Sequence, residues 1–135
     1  VFCRADMEKS LLGTHSTKIY DSEKNKIGEI KETKYRFGLY DLIQFILEID
    51  GFEKITFSKE MEELKSFYKI EPESIELKGN WLNSNFNIEY NQQKIASVKK
   101  EEKRYTLEIN DEDYKELAVS LLITILQVFH YERLL

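Results

Sequence analysis

Residues 110–131, NDEDYKELAVSLLITILQVFHY, decide the fold. Asn110 is placed to cap a helix, and Asp113 stands three residues on in a capping-box arrangement. Asp111, Glu112 and Asp113 suit the positive end of a helix dipole. Beyond them, Leu117, Ala118, Val119, Leu121, Leu122, Ile123, Ile125, Leu126, Val128 and Phe129 point in nearly every helical direction. Only Glu116, Ser120, Thr124, Gln127 and Tyr131 line up as a mildly polar stripe. A helix that is apolar almost all round must be enclosed. We therefore expect a helix from about Asp111 to Tyr131, with Leu121, Leu122, Ile125 and Leu126 nearly inaccessible. A helix laid on one sheet face would not need such a surface; one threaded through a closed barrel would. The apolar run Leu117–Phe129 falls short of the roughly 20 residues that span a bilayer, so it reads as core.

Most of the remaining chain alternates. Ser74–Lys78, Phe86–Tyr90, Ile95–Lys99 and Tyr105–Ile109 each place apolar residues at every second position. So, more loosely, do Thr17–Asp21, Lys26–Lys31 and Phe52–Ser58. Period two over four to eight residues marks half-buried antiparallel strands. The breaks carry turn chemistry at Ser22–Asn25, Asp50-Gly51, Glu71-Pro72, Gly79-Asn80, Asn91–Gln93 and Asn110-Asp111. About eight to ten short strands at this spacing predict a meandering sandwich or barrel. Gly79-Asn80 reads as a bend that turns Trp81 inward as an apolar anchor. Two segments leave helix and strand open: Leu39–Ile49, where Asp41 is a candidate cap, and Glu60–Tyr68.

There is also an internal echo. Ile19-Tyr20 followed by Ile27-Gly28-Glu29-Ile30-Lys31 resembles Ile88-Glu89-Tyr90 followed by Ile95-Ala96-Ser97-Val98-Lys99. Two hairpins built alike would produce it, although the matched positions are those any hairpin needs.

The order of these pieces resembles the LURP-one-related family and the wider tubby C-terminal-like proteins. The resemblance rests on Ile75-Glu76-Leu77-Lys78-Gly79-Asn80-Trp81, Phe86-Asn87-Ile88 and Ile95-Ala96-Ser97-Val98-Lys99-Lys100. It continues through Tyr105-Thr106-Leu107-Glu108-Ile109, the acidic Asp111–Asp113 and the apolar helix. It covers about the last 60 residues well and the earlier hairpin at Lys18–Asp21 and Ile27-Gly28 more loosely. It implies residues 1–135 as a single tubby C-terminal-like domain, mainly β with a C-terminal α-helix. The implied architecture is a closed antiparallel β-barrel of about twelve strands around a central hydrophobic helix.

Composition bounds function. The 135 residues carry 20 Lys+Arg against 25 Asp+Glu, and a net charge of −5 argues against a nucleic-acid-coating protein. One cysteine, Cys3, excludes an internal disulfide framework, and a reducing, cytoplasmic setting is the simplest reading. With His15 and His130 as the only histidines, no His-rich metal cluster is available, and no cofactor is expected. The chain opens Val1-Phe2-Cys3 without an initiator Met, so we expect it to be N-terminally incomplete.

Nothing in the sequence assembles a catalyst. Glu60, Glu62, Glu63, Glu101 and Glu102 read as solvated turns and strand faces. His15 beside Ser16 and Thr17 lacks a nucleophile elbow. His130 reads as a helix-end residue, and five glycines form no phosphate-cradling loop. A non-enzymatic binding domain is the expectation. Lys94, Lys99, Lys100, Lys103 and Arg104 concentrate positive charge around one hairpin, although Glu101 and Glu102 interrupt it and alternation splits it between faces. Tubby domains read lipid headgroups, so the resemblance implies an anionic membrane lipid or phosphate-bearing ligand at a basic barrel face, and a peripheral membrane location. It transfers no contact residue; the cluster is the candidate site by its charge alone. The competing reading is a protein-interaction or scaffold domain, with Tyr35, Phe37, Tyr40 and Trp81 as a docking patch.

Overall fold

The computed structural model describes residues 3–9, 15–63, 65–82, 85–102 and 104–132. They form two antiparallel sheets and one C-terminal helix, in two compact units, Val1–Pro72 and Glu73–Leu135. The first unit is a six-stranded meander: β1 (Cys3–Lys9), β2 (His15–Asp21), β3 (Lys26–Phe37), β4 (Tyr40–Ile49), β5 (Ile55–Glu62) and β6 (Lys65–Glu71), in that spatial order. The opposed pairs Ile30–Leu47, Leu47–Ile55 and Phe45–Phe57 line its buried face. The second unit runs β7 (Ile75–Lys78), β8 (Phe86–Tyr90), β9 (Gln93–Glu101) and β10 (Arg104–Ile109), again in chain order, and ends in α1 (Lys115–Tyr131).

The ambiguous segment at 39–49 is strand β4. Both Leu42 and Ile43 are buried although they point to opposite faces, and this double burial is what disguised the period. Asp41 caps nothing there; it stands opposite Arg36 across the β3–β4 ladder. Glu60–Tyr68 likewise divides between the end of β5 and the start of β6.

The internal echo is a structural repeat. In the first unit Thr17 faces Ile30 and Ile19 faces Gly28, after which the register slips and Tyr20 faces Lys26, leaving Ile27 as the extra residue. In the second, Phe86 faces Val98 and Ile88 faces Ala96, then Glu89 faces Lys94, leaving Ile95 extra. A bulge carries one unpaired residue in the longer strand, and here both extra residues are buried isoleucines. Their carbonyls have the same use: Ile27 O accepts from Asp50 N at 3.0 Å, and Ile95 O accepts from Asn110 N at 2.8 Å. The next ladder matches too, since Gly28–Ile49 and Ile30–Leu47 correspond to Ala96–Ile109 and Val98–Leu107. Thus β2–β3–β4 and β8–β9–β10 are one design used twice.

The copies differ at one buried backbone contact. A Cβ on Gly28 would meet the Glu48 carbonyl oxygen at 2.9 Å, a backbone approach closer than real Cβ atoms make. Its counterpart is Ala96, which is fully buried. Gly28→Ala should therefore cost about 1–3 kcal/mol by overpacking. Ala96→Gly should cost roughly 0.5–1 kcal/mol for the opposite reason, lost backbone restriction. Urea unfolding of both variants checks this; a Gly28→Ala protein as stable as wild type would show that β4 can shift aside.

The helix starts later than its sequence predicts. Asn110 lies just beyond β10, where its backbone N–H donates to the Ile95 carbonyl, and it is not the cap. Asp111 caps instead, accepting from Asp113 N at 3.1 Å and opening a short 3-10 turn, Glu112–Tyr114, ahead of α1. Leu121 and Ile125 are fully buried as expected, whereas Leu122 and Leu126 are only half-buried. The polar stripe does not stay outside: Ser120 and Thr124 are fully buried. Thr124 Oγ1 satisfies itself by donating to the Ser120 carbonyl at 2.9 Å. The most buried positions, Leu117, Ala118, Ser120, Leu121, Thr124, Ile125, Val128 and Phe129, cover about half the helical circumference. The other half is intermediate rather than solvated: no residue from Lys115 to Phe129 is exposed.

Gly79 takes φ +113 at the bend after β7, in the region that favours glycine. Trp81 then turns inward and stacks on Phe129 of α1, with centroids 6.3 Å apart and planes 25° from parallel. It is half-buried, as an anchor rather than a solvated ring.

Candidate functional site

The predicted basic cluster lies on the β8–β9–β10 ladders, and strand pairing sorts its members. Tyr105 contacts Phe129 of α1 at 5.7 Å, so residues of its parity on β10 face the helix. Lys100 stands opposite Tyr105 and shares that face; its Nζ lies 5.9 Å from the tyrosine ring centroid. Its backbone N–H donates to Asn85 Oδ1 at 2.8 Å. Lys94, Lys99 and Arg104 lie on the opposite face, which turns away from α1. Lys103 is outside the described residues, as is the side chain of Cys3.

The face that gathers Lys94, Lys99 and Arg104 also presents Lys78 from β7. Four carboxylates, Glu76, Glu89, Glu101 and Glu108, accompany these four cations. Lys78 Nζ lies 2.9 Å from Glu76, and Arg104 Nη2 lies 3.3 Å from Glu101. The hydrogen bond to Glu76, with the charges of Glu76 and Glu89, holds the Lys78 ammonium above its ordinary pKa. Lys94 stands opposite Glu89. Lys99 differs, because the residue opposite it is Thr106 rather than an acid. The surface thus mixes four cations with four carboxylates, two of the cations in exposed ion pairs.

The first unit shows similar pairing on its strand faces. Partial burial of the Glu29 carboxyl opposes ionisation, but hydrogen bonds from Lys26 and Ser16 and the charges of Lys26 and Lys31 outweigh it and lower its pKa. His15 Nδ1 lies 3.4 Å from Glu32 across β2–β3. The Tyr35 hydroxyl donates to the Lys59 carbonyl, and burial followed by the nearby Glu60 charge raises its pKa. Among the described residues, no three His, Cys, Asp or Glu side chains are grouped to hold a metal ion.

The aromatic patch also divides. Tyr35 and Trp81 are half-buried, whereas Phe37 and Tyr40 are 43% and 52% exposed. They pair across the last rung of the β3–β4 hairpin, and Leu39 between them is 91% exposed. Arg36, one rung back, donates from Nε to the Gly38 carbonyl at 3.1 Å and lies 3.7 Å from Asp41.

A sequence profile of LURP-one-related proteins matches residues 3–126, which takes in both repeats and most of α1. The chain belongs to the LURP-one-related family. No curated protein and no solved structure matches it significantly.

For this LURP-one-related chain, sequence reading found three cations of the exposed face but missed Lys78. The signal was available in the pairing of Lys78 with Asn87 and of Asn87 with Ser97, once β7, β8 and β9 are set in register. Leu39 was missed because it sat inside a segment undecided between helix and strand. Its position between two tyrosine- and phenylalanine-bearing strands that close at Gly38 is evident only when β3 and β4 pair.

Proposed function

We propose that this LURP-one-related domain is a non-enzymatic intracellular binding domain acting at a membrane surface, where it recognises anionic, phosphate-bearing groups. The observation that carries the reading is the placement of Lys94, Lys99, Arg104 and Lys78 on one exposed sheet face. Each cation near an anionic surface contributes about 1 kcal/mol, so four together are useful and the neighbouring acids make the total modest. Such attraction is screened within roughly 10 Å at 0.1 M salt, so binding should fall steeply with ionic strength. Among the described residues, no helix is long and apolar enough to cross a membrane.

The test is sedimentation with vesicles containing acidic phospholipid, at low and at physiological salt. Wild type should pellet at low salt, and the Lys94→Glu/Lys99→Glu/Arg104→Glu protein should not. Lys100→Glu, altered on the opposite face, should pellet like wild type. Competition by inorganic phosphate separates a free-phosphate site from a headgroup site. If all variants pellet equally, or none does, the basic-face mechanism is wrong and the protein-interaction reading replaces it.

We also infer that the fold is tubby C-terminal-like, with α1 as its enclosed central helix. What supports this is the lack of any exposed position from Lys115 to Phe129. An enclosed helix has no face for a carboxylate, so Leu122→Asp should then destabilise by more than Leu122→Ala, although Leu122 is only half-buried.

A further inference from the structure

The repeat provides a ruler for the β3–β4 hairpin. Its counterpart, β9–β10, has six paired rungs and ends where Glu101 faces Arg104. That rung corresponds to Thr33–Gln44, yet β3–β4 continues through Lys34–Ile43, Tyr35–Leu42, Arg36–Asp41 and Phe37–Tyr40, for ten rungs in all. The four additional rungs extend the hairpin by about 14 Å at strand rise. The tips differ in chemistry as well as reach. In sequence, the shorter hairpin's strands are joined across Glu101-Glu102-Lys103-Arg104, and the longer one's across Phe37-Gly38-Leu39-Tyr40. One copy of the design closes with charged residues, so an apolar tip is not something this meander requires. All six residues from Arg36 to Asp41 are exposed.

We infer that the β3–β4 tip is a membrane-insertion element that places Leu39 below the headgroups of a phospholipid bilayer, with Phe37 and Tyr40 at the interface. The inference rests on the membrane part of the proposed function but not on its basic face. Three observations favour a bilayer over a protein partner. The apolar area is small: a stable protein interface needs about 800 Å² per partner, far more than three side chains supply. Insertion has no such threshold, because its strength grows with whatever apolar area is buried. The order of side chains also suits an interface, since aromatic rings favour the headgroup level and an aliphatic apex the hydrocarbon beyond it. Finally, the turn is partly relieved of its polar cost, because the Gly38 carbonyl already accepts from Arg36 Nε and the Arg36 charge is countered by Asp41.

This local neutrality distinguishes the tip from the basic face. Tip insertion should occur with purely zwitterionic phosphatidylcholine vesicles and survive physiological salt; headgroup binding by the lysine face should do neither. The experiment compares wild type, Leu39→Asp and Leu39→Trp for partition onto phosphatidylcholine vesicles. Leu39→Asp should lower partition about tenfold or more, the scale of withdrawing one leucine side chain from hydrocarbon. Its thermal melt should match wild type, since Leu39 touches little of the fold. In a Trp81→Phe background, Leu39→Trp fluorescence should shift to the blue on vesicle addition and be quenched by lipids brominated on the acyl chain. If wild type ignores phosphatidylcholine vesicles, or if Leu39→Asp partitions equally and Leu39→Trp is not quenched, the insertion element is refuted. Salt-sensitive binding to acidic vesicles would survive that result and preserve the basic-face reading. A concentration-dependent dimer that Leu39→Asp abolishes would instead assign the tip to a second copy of the chain.

Discussion

Leu121→Ala should lower the unfolding free energy by about 2–5 kcal/mol, the range for truncating a buried leucine that leaves a cavity. Leu121 has no solvent exposure and lies on the same side of α1 as Leu117, Ile125 and Val128, which are equally buried. Leu122, one residue on, is half-buried, and its truncation should cost clearly less. The contrast matters more than either value, because the two leucines share helix propensity, local sequence and chain position. Urea denaturation of both variants measures it. Equal losses would mean that the helix is enclosed more evenly than its side-chain exposures indicate.

Phe45→Ala should be at least as severe, at about 3–5 kcal/mol. Phe45 is fully buried at the middle of β4, directly opposite Phe57 on β5 and Glu32 on β3. Its loss removes an aromatic from the interior of a sheet whose neighbours are already paired on both sides, so the backbone has little freedom to collapse into the void. Phe45→Leu should recover most of the loss, since it keeps the apolar volume and forfeits mainly the ring contacts. A Phe45→Ala protein within 1 kcal/mol of wild type, by equilibrium unfolding, would place the core of the first unit elsewhere.

These energies also show where the sequence was informative. Strands with one face turned inward, such as β8 and β10, display their period directly: Phe86 and Ile88 are buried, and Tyr105, Leu107 and Ile109 half-buried, at every second position. The repeat was visible through Ile27 and Ile95, although nothing in the residues themselves said that each would be a bulge. β4 resisted because Leu42 and Ile43 are both buried, which erases alternation. In α1 an apolar surface on every side was legible, but the gradation between Leu121 and Leu122 depends on what packs there. The basic cluster was legible as composition only. Its division, with Lys100 over Tyr105 and Lys99 across from Thr106, follows from register that no linear count of lysines contains.

Every hydrogen-bonded strand neighbour in both sheets is also the neighbour in the chain. Each ladder can therefore form by closing one short turn, at an entropic cost that grows only slowly with loop length. β-rich proteins usually fold slowly because their pairings join distant parts of the chain. The strand ladders of this protein are thus closed between chain neighbours, unlike those of a Greek-key sandwich. Among proteins with this much strand, it should refold quickly, and a stopped-flow refolding time in the range of slow β-sandwiches would contradict that.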